Sequence, residues 1–552
     1  MEPPSSSSAD YLVNKEIVDF CFDVHEATRR SHLGEDIRRL YEVEFKEISE
    51  KYCDKTPWPS ADAIKGQCIG RDHEPDVLFL NLYSELSYRH LFARLKPTAE
   101  DRLAAWANYC ELFDRLLACQ DTDTVLTAQW VFDIVHEFVY QFQSFCHYRT
   151  ALKGGGPLVV EESDPWSCPG VLTYLLEMSK HAGKTTVSVL HSHLGSFAVA
   201  ATSRLQCLLC DYSAAVECLS RSMPPTGVFS QVFSCKLTLL YHLGFALLML
   251  GRFADATRVL DSLVAPLARL QKTHGGFPTR ALPPGAPPSD QVSKAFDRSL
   301  TLLVVSHHLA SKSSSVSVDD ASRQTLKDRF GDKVAASEHR SDRATHVAYL
   351  VTLLAPASPK FVVPSSSLSG EDAATVDEDD DAEATTPQKE DAKVALFQQQ
   401  MRLFSKLASQ HLQMAKIKSY LQLYASIPLD KLASFNDTSA DDLRHSLLNL
   451  KFSMLHKKNQ RNAFLGTSTT SDDDLLSTFT PAWTSNYATD PADLHFYVEH
   501  DMVHVDEPQA DDADAHDFLD QIHKFRQATH LLKLQELDFL AAKQQQAASS
   551  SK

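Results

Sequence analysis

Between residues 412 and 505 the spacing of apolar residues changes from helical to strand-like, and this limits the folds open to the chain more than any other feature. In KIKSYLQLYASI, Ile417, Leu421 and Tyr424 share one helical face at spacings of four and three. A second helical pattern starts at Pro428, whose ring suits a first turn, and turns Leu429, Leu432 and Phe435 inward. A third opens with Thr438 and Ser439, three residues ahead of Asp441 and Asp442, in a capping-box pattern with Asp in place of Glu. It turns Leu443, Leu447, Leu450 and Met454 inward. In FYVEHDMVHV the period becomes that of a hairpin: Phe496, Val498, Met502 or Val503, and Val505 flank a polar Glu499-His500-Asp501 tip. Three short helices and then a hairpin are the element order of a winged helix.

Such a module reads nucleic acid when the first turn of its third helix meets base edges in a groove. Here that turn carries Asp441 and Asp442, and the hairpin tip carries Glu499 and Asp501. Four carboxylates oppose a polyanion whose binding depends on Lys and Arg neutralising phosphates. The nearest basic cluster, Lys451, Lys457, Lys458 and Arg461, lies toward the far end of the third helix. The favoured reading is therefore a protein-docking module with Asp441, Asp442, Glu499 and Asp501 at its surface, and nucleic-acid binding is the alternative.

A chain of 552 residues suggests several folding units. Its net charge of -18 is unevenly distributed: residues 371–391 and 506–520 carry -9 and -7, which leaves the remaining body at -2. Runs of like charge are usually solvated, so the acidity says little about what the folded surface binds. All 11 cysteines fall at or before Cys235, and the polar start MEPPSSSSAD has no signal-peptide pattern. The expectation is a cytoplasmic protein whose reduced cysteines act as small apolar residues. The longest apolar run, LTLLYHLGFALLML, is interrupted by His242 and is shorter than the roughly 20 residues of a membrane span, so it reads as a buried helix.

Helical periodicity dominates the rest. Phe79, Leu82, Tyr83 and Leu86 form one stripe, and Trp106, Cys110, Phe113 and Leu117 a second. Val131, Ile134, Val135, Phe138, Phe142 and Phe145 hold one face over four turns. An internal repeat follows: at an offset of 41, LQCLLCDYSAAVECLSR and ALLMLGRFADATRVLDS pair Tyr212 with Phe253, Ala215 with Ala256 and Leu219 with Leu260. This is the core pattern of a tetratricopeptide-like hairpin, in which the small Ala lets helices approach closely. The predicted fold is mainly α, a helical-repeat solenoid followed by a winged helix with a small hairpin and a C-terminal helix. Its predicted divisions are a polar leader and first helix (1–35), an N-terminal helical domain (36–152), a helical-repeat domain (165–363), an acidic disordered linker (364–392), the winged-helix part (393–508) and a last helix (509–545).

Local catalytic patterns fail on spacing. The segment His181-Ala-Gly-Lys-Thr-Thr186 imitates the end of a phosphate-binding loop, but the required earlier glycine is Met178. Cys207 and Cys210 form a lone Cys-x-x-Cys at core spacing within the repeat. His136-Glu137 lacks the second histidine of a helical zinc-protease motif, since residue 140 is Tyr. The pairs His191/His193 and His307/His308 have no acidic or cysteine partner at ligand spacing. No Gly-x-Ser-x-Gly elbow is present. The reading is a non-enzymatic chain with no cofactor and no metal.

A helical-repeat array followed by a winged helix resembles the PCI domain of proteasome-lid, COP9-signalosome and initiation-factor subunits. More specifically, TPWPSADAI, LFLNLYSELSYRHLFARL, WVFDIVHEFVYQFQSF, LLCDYSAAVECL, YHLGFALLMLGRFADATRVL, LKDRFGDK, SPKFVVP, DLHFYVEHDMVHV and IHKF occur in the order in which the subunit L family of eukaryotic translation initiation factor 3 carries similar blocks. The resemblance implies a scaffold subunit that supports small ribosomal subunit binding and recruitment of mRNA and initiator tRNA, with subunits K and E as its neighbours. The alternatives are a subunit of a proteasome-lid or signalosome complex, or a nucleic-acid-binding winged helix. Residues 516–540 also present Phe518, Leu519, Ile522, Phe525, Leu531 and Leu532, more apolar surface than a free tail should expose. Burying them contributes at most about 1.5 to 3 kcal/mol each, whereas association costs an estimated 4 to 15 kcal/mol. The expectation is a multi-subunit bundle, with Phe518, Ile522, Phe525 and Leu532 as docking candidates.

Overall fold

The computed structural model describes residues 13–29, 34–65, 76–118, 126–151, 165–182, 188–221, 228–283, 285–310, 317–331, 333–340, 342–363, 392–464, 494–506, 522 and 526. Two compact units emerge, one formed by Met1–Leu412 with Phe464–Tyr487, the other by Gln413–Ala463 with Ala488–Lys552. The described helices of the N-terminal region are α1 (Lys15–Arg29), α2 (Gly34–Arg39), α3 (Phe45–Tyr52), α4 (Ala61–Ile64), α5 (Val77–Arg94), α6 (Ala99–Ala118) and α7 (Ala128–Ala151). They are followed by α8 (Cys168–Ser179), α9 (Val189–Leu208), α10 (Tyr212–Arg221), α11 (Val228–Gln231), α12 (Phe233–Met249) and α13 (Phe253–His274). Next come α14 (Ser289–Ala310), α15 (Asp320–Phe330), α16 (Lys333–Arg340), α17 (Arg343–Ala357) and α18 (Ala392–Leu421). The fold is mainly α, as its periodicity predicts.

The α5 stripe is buried as expected, and so is the α7 stripe up to a half-buried Phe145. On α6 the buried face is rotated from the predicted one: Tyr109, Leu112, Phe113 and Leu116 are interior, while Trp106, Cys110 and Leu117 are half-buried. Trp106 sits at the rim of an aromatic cluster, its ring 6.0 Å from Phe138 and 5.0 Å from Trp166. Large rings extend the reach of a core beyond the narrow stripe that periodicity identifies.

This core also contains charge. Glu85 is fully buried and ion-pairs with Arg89 one turn later, and Arg89 also reaches Asp133 at 3.8 Å. A π-helical turn, Leu40–Glu44, brings in Tyr41, whose hydroxyl donates to Asp133 at 2.5 Å and whose ring stacks on Trp130 at 4.9 Å. Buried ions need this degree of partnering, because each has lost its hydration.

The internal repeat is real at the level of the backbone. Helices α9 and α12 end in the same turn: Asp211 N donates to Gln206 O (2.9 Å) and Arg252 N to Leu247 O (2.9 Å), while Cys210 and Gly251 take φ of 66° and 73°. These are equivalent positions of a Schellman-type cap. Tyr212, Ala215 and Leu219 are buried, as are Phe253, Ala256 and Leu260. The close approach is visible at another equivalent pair. Ser203 Oγ donates to Ala215 O at 2.7 Å, and a Cβ on Gly244 would lie 2.5 Å from Leu260 Cδ2. The run read as a buried helix is α12, interior along most of its length.

Two further segments bind these hairpins together. The extended stretch 358–363 contributes buried Phe361 and Val362, and Val362 N donates to Leu208 O (2.9 Å) while Gln143 Nε2 donates to Lys360 O (2.7 Å). Along α18, Gln400 accepts from Tyr212 OH (2.8 Å), Leu407 Cδ1 lies 3.2 Å from where a Gly251 Cβ would be, and the His411 ring meets Phe253 at 4.6 Å. Seven helical residues rise about 10 Å, so contacts at 400 and 407 match the distance between packed helices.

In the second unit, β1 (Ser426–Pro428), α19 (Leu429–Phe435), α20 (Ala440–Phe464), β2 (His495–Glu499) and β3 (Met502–Asp506) follow α18. The sheet is antiparallel in the order β1-β3-β2, with Ile427 opposite Val503 and Phe496 opposite Val505. Strand β1 corrects the sequence reading, which continued the first helix through Ile427; the helix stops at Leu421. Three residues are too few for a period to register, and β1 exists because β3 supplies its hydrogen bonds. Val498, expected on the inner side of the hairpin, is 45% exposed, and Val503 rather than Met502 is the interior residue. The turn is His500-Asp501, both at positive φ, with Glu499 still paired to Met502. That backbone fits the twist of a two-residue hairpin.

Candidate docking surface

Helix α20 is placed by its cap and its buried face. Ser439 Oγ accepts from Asp442 N at 3.1 Å and donates to Asp442 Oδ2 at 2.7 Å, whereas Thr438 Oγ1 makes no hydrogen bond among the described residues. The capping box therefore belongs to Ser439 alone. Leu443, Leu447 and Leu450 pack inward, with Met454 half-buried against the same core.

The four predicted acidic residues all lie at the surface, and a basic residue not singled out from the sequence joins two of them. Arg444 Nη1 donates to Asp441 Oδ1 at 2.8 Å, and its Nη2 donates to Asp501 at the hairpin turn. These carboxylates hold the Arg444 guanidinium above its ordinary pKa, the Asp501 hydrogen bond being the larger cause. Asp441 stays 81% exposed, and Glu499 lies 3.6 Å from His500 Nδ1. Arg444 could have been found from its i, i+3 spacing to Asp441, but its bond to Asp501 crosses 57 residues. Lys451, counted in the basic cluster, is turned onto the wing: Nζ donates to Phe496 O at 2.9 Å and lies 5.5 Å from the Phe496 ring centre. The side chains of Lys457, Lys458 and Arg461 lie outside the described residues.

Sequence reasoning also missed Leu448 and Phe452. They are 54% and 64% exposed, four residues apart, on the side of α20 away from its core. Of the four apolar candidates nearer the C-terminus, Phe518, Phe525 and Leu532 lie outside the described residues, as does the acidic linker 364–391, and Ile522 is half-buried.

Several of the residues weighed for chemistry have structural contacts. Cys207 is buried with its thiol donating to His242 O at 3.7 Å, and burial pushes its pKa up. Cys210 is the half-buried cap residue, raised by burial to about 11. His136 has its pKa depressed well below normal by desolvation and by Arg204, whose Nη1 lies 3.0 Å from Nδ1. Desolvation lifts its neighbour Glu137 to about 7, against the pull of Arg89. His191 Nδ1 lies 2.6 Å from Ser188 Oγ, and His308 pairs with His346 at 3.1 Å. Among the described residues no group of three or more His, Cys, Asp or Glu is arranged to hold a metal ion.

The family described as RNA polymerase I-associated factor PAF67 matches residues 101–525, well over half of the chain. Eukaryotic translation initiation factor 3 subunit L of Mus musculus is 30% identical over 90% of this chain and 82% of its own length. The protein of the same name from Nematostella vectensis is 28% identical over 94% of this chain and 93% of its own, and that of Homo sapiens 29% over 90% and 82%. The chain belongs to the subunit L family of eukaryotic translation initiation factor 3. Several sequence blocks that resemble subunit L coincide with packing that the fold requires. Trp58 of TPWPSADAI is buried against Phe20 and Phe45, and Tyr83 OH donates to Pro59 O at 2.7 Å. The block SPKFVVP overlaps the extended segment 358–363 that binds the repeat hairpins together, and DLHFYVEHDMVHV contains the hairpin of the winged helix.

Proposed function

We propose that this chain is a non-catalytic scaffold subunit of the translation initiation factor 3 complex, supporting small ribosomal subunit binding and recruitment of mRNA and initiator tRNA. The carrying observation is colinear similarity over about nine-tenths of the chain to proteins named as subunit L. A subunit of this kind binds other subunits, and subunits K and E are its proposed neighbours. It works in the cytoplasm and touches RNA, if at all, through surfaces other than the acidic first turn of α20. Residues 509–545 are proposed to carry contacts to the other subunits of the complex.

The test is native purification of the tagged full-length chain at physiological salt, followed by mass spectrometry and sedimentation. The expected result is recovery of initiation-factor subunits and sedimentation with the small ribosomal subunit. Recovery of polymerase, proteasome-lid or signalosome subunits in their place would overturn the proposal. Truncation after Glu507 should leave the folded units intact and weaken incorporation; unchanged incorporation would remove residues 509–545 from the scheme.

A further inference from the structure

We infer that Arg204 is a carboxylate receptor: where α9 packs on α7, its guanidinium takes the side chain of an Asp or Glu from another subunit. The inference rests on the reading of the chain as a scaffold subunit and names one contact that the scaffold makes. Arg204 is 8% exposed, and burial lowers its pKa only to about 10, so it stays charged at neutral pH. A cation that has lost its hydration needs an anion in contact with it. Arg89 has Glu85 and Asp133, and Arg252 has Asp255 at 2.7 Å. Among the described residues no carboxylate forms an ion pair with Arg204. Its Nη1 donates to His136 O at 3.3 Å and lies 3.0 Å from His136 Nδ1. Its Nε and Nη2 have no hydrogen-bond partner among the described residues, and unlike Arg102 Nε they are not sealed from solvent.

The surroundings select the ligand. Desolvation and then the charge of Arg204 depress the pKa of both His136 and His242, so the two imidazoles are neutral and Arg204 is the cation of the cluster. Glu137 acts on Arg204 from a distance, but its carboxylate accepts from Gln141 Nε2 at 3.1 Å instead of from the arginine. One uncompensated positive charge calls for one negative charge, and adjacent N–H groups of a planar fork match the two oxygens of a carboxylate. Tyr140, 41% exposed one turn after His136, also acts on Arg204 and places the cluster next to solvent. With 8% of Arg204 open, a carboxylate on a flexible side chain can reach it, whereas a phosphodiester flanked by two riboses is too broad.

The experiment has two arms. In the first, the isolated full-length chain is titrated with formate at constant ionic strength, chloride making up the balance, and the unfolding midpoint is read. The midpoint should rise with formate and level off. Arg204→Lys, which keeps the charge and loses the fork, should weaken the apparent affinity by roughly tenfold, and Glu137→Gln should strengthen it. Arg204→Met should abolish the response and keep the midpoint of the parent in chloride, since it strands no buried carboxylate. No response in the parent, or an equal one in Arg204→Met, would overturn the inference. So would a loss of stability in Arg204→Met as large as that of Arg89→Ala, which would make the arginine structural. In the second arm, a benzophenone amino acid at position 140 is irradiated in the natively purified complex and the products are mapped by mass spectrometry. It should link to a segment of another subunit that contains Asp or Glu, and Arg204→Lys in the same chain should lower the yield by roughly tenfold. Links to RNA, to a second copy or to residues 364–391 of the same chain would overturn the inference, as would no link in the assembled complex. If initiation-factor subunits co-purify but either arm fails, this inference falls and the proposed function stands. If subunits of another complex co-purify in their place, the proposed function falls, and a formate response with a link to an acidic segment of one of them still supports the site.

Discussion

Arg89 and Arg444 have the same task in different surroundings. Each joins two carboxylates, one of them a single turn or less away on its own helix and the other from a distant part of the chain. Around Arg89, Glu85 is fully buried and Tyr41 and Trp130 close the cluster; around Arg444, both carboxylates stand largely in water. A buried ion that loses its partner keeps its desolvation penalty, whereas an exposed ion is rehydrated. The first arginine is therefore costly to remove from the core of the N-terminal helices, and the other shapes a surface.

Removing Arg89 should have the largest effect. Arg89→Ala leaves the Glu85 carboxylate without its charge partner and should lower stability by about 3 to 5 kcal/mol, read from urea unfolding. Arg89→Met with Glu85→Leu should recover most of that loss, and failure to recover would show that the cluster is held by packing rather than by charge.

Glu137 sharpens the comparison through pH. Its folded-state pKa of about 7 lies above its ordinary value of 4.5, chiefly because it is desolvated. Below that ordinary value both states are protonated and the group is neutral to stability. Between the two values the unfolded chain ionises first, so stability falls as pH rises, with a limiting slope of about 1.4 kcal/mol per pH unit. Above the folded pKa the penalty is constant. Glu137→Gln should therefore stabilise the protein more at pH near 8 than at pH near 4.5, and an equal gain at both would contradict the assignment.

A smaller loss is expected at Gly244, where a Cβ would overlap the buried Leu260 side chain at 2.5 Å. Gly244→Ala should cost about 1 to 3 kcal/mol in thermal or urea unfolding, as overpacking does. Ser203, at the equivalent position of the other repeat, already has a side chain and should accept Ala with less loss, chiefly that of its hydrogen bond to Ala215 O. Arg444→Ala is the smallest case. It should leave the unfolding midpoint nearly unchanged, and any residual shift should vanish at raised salt. A loss comparable to that of Arg89→Ala would end the contrast between the two sites.

Much of the architecture is legible in the residues alone. Periodicity locates the stripes of α5 and α7, the offset of 41 locates two hairpins with matching caps, and a shift in period locates the wing. These features are local: side chains a few residues apart must share a face, and the residue sequence alone decides which face is apolar. The acidic residues of the candidate surface are also legible, since charge at a helix start needs no partner to be recognised.

What the sequence leaves open depends on neighbours far along the chain. Strand β1 is too short to carry a period and exists through β3; the rotation of the α6 face follows from rings supplied by α7 and by Trp166; Arg444 reaches Asp501 only once the wing folds back. Period alone puts Leu448 and Phe452 opposite the inward stripe of α20, but it does not say whether another segment covers that side. Burial is a property of the packed chain, since it depends on which other segments come to cover a face, and only the tertiary structure decides that.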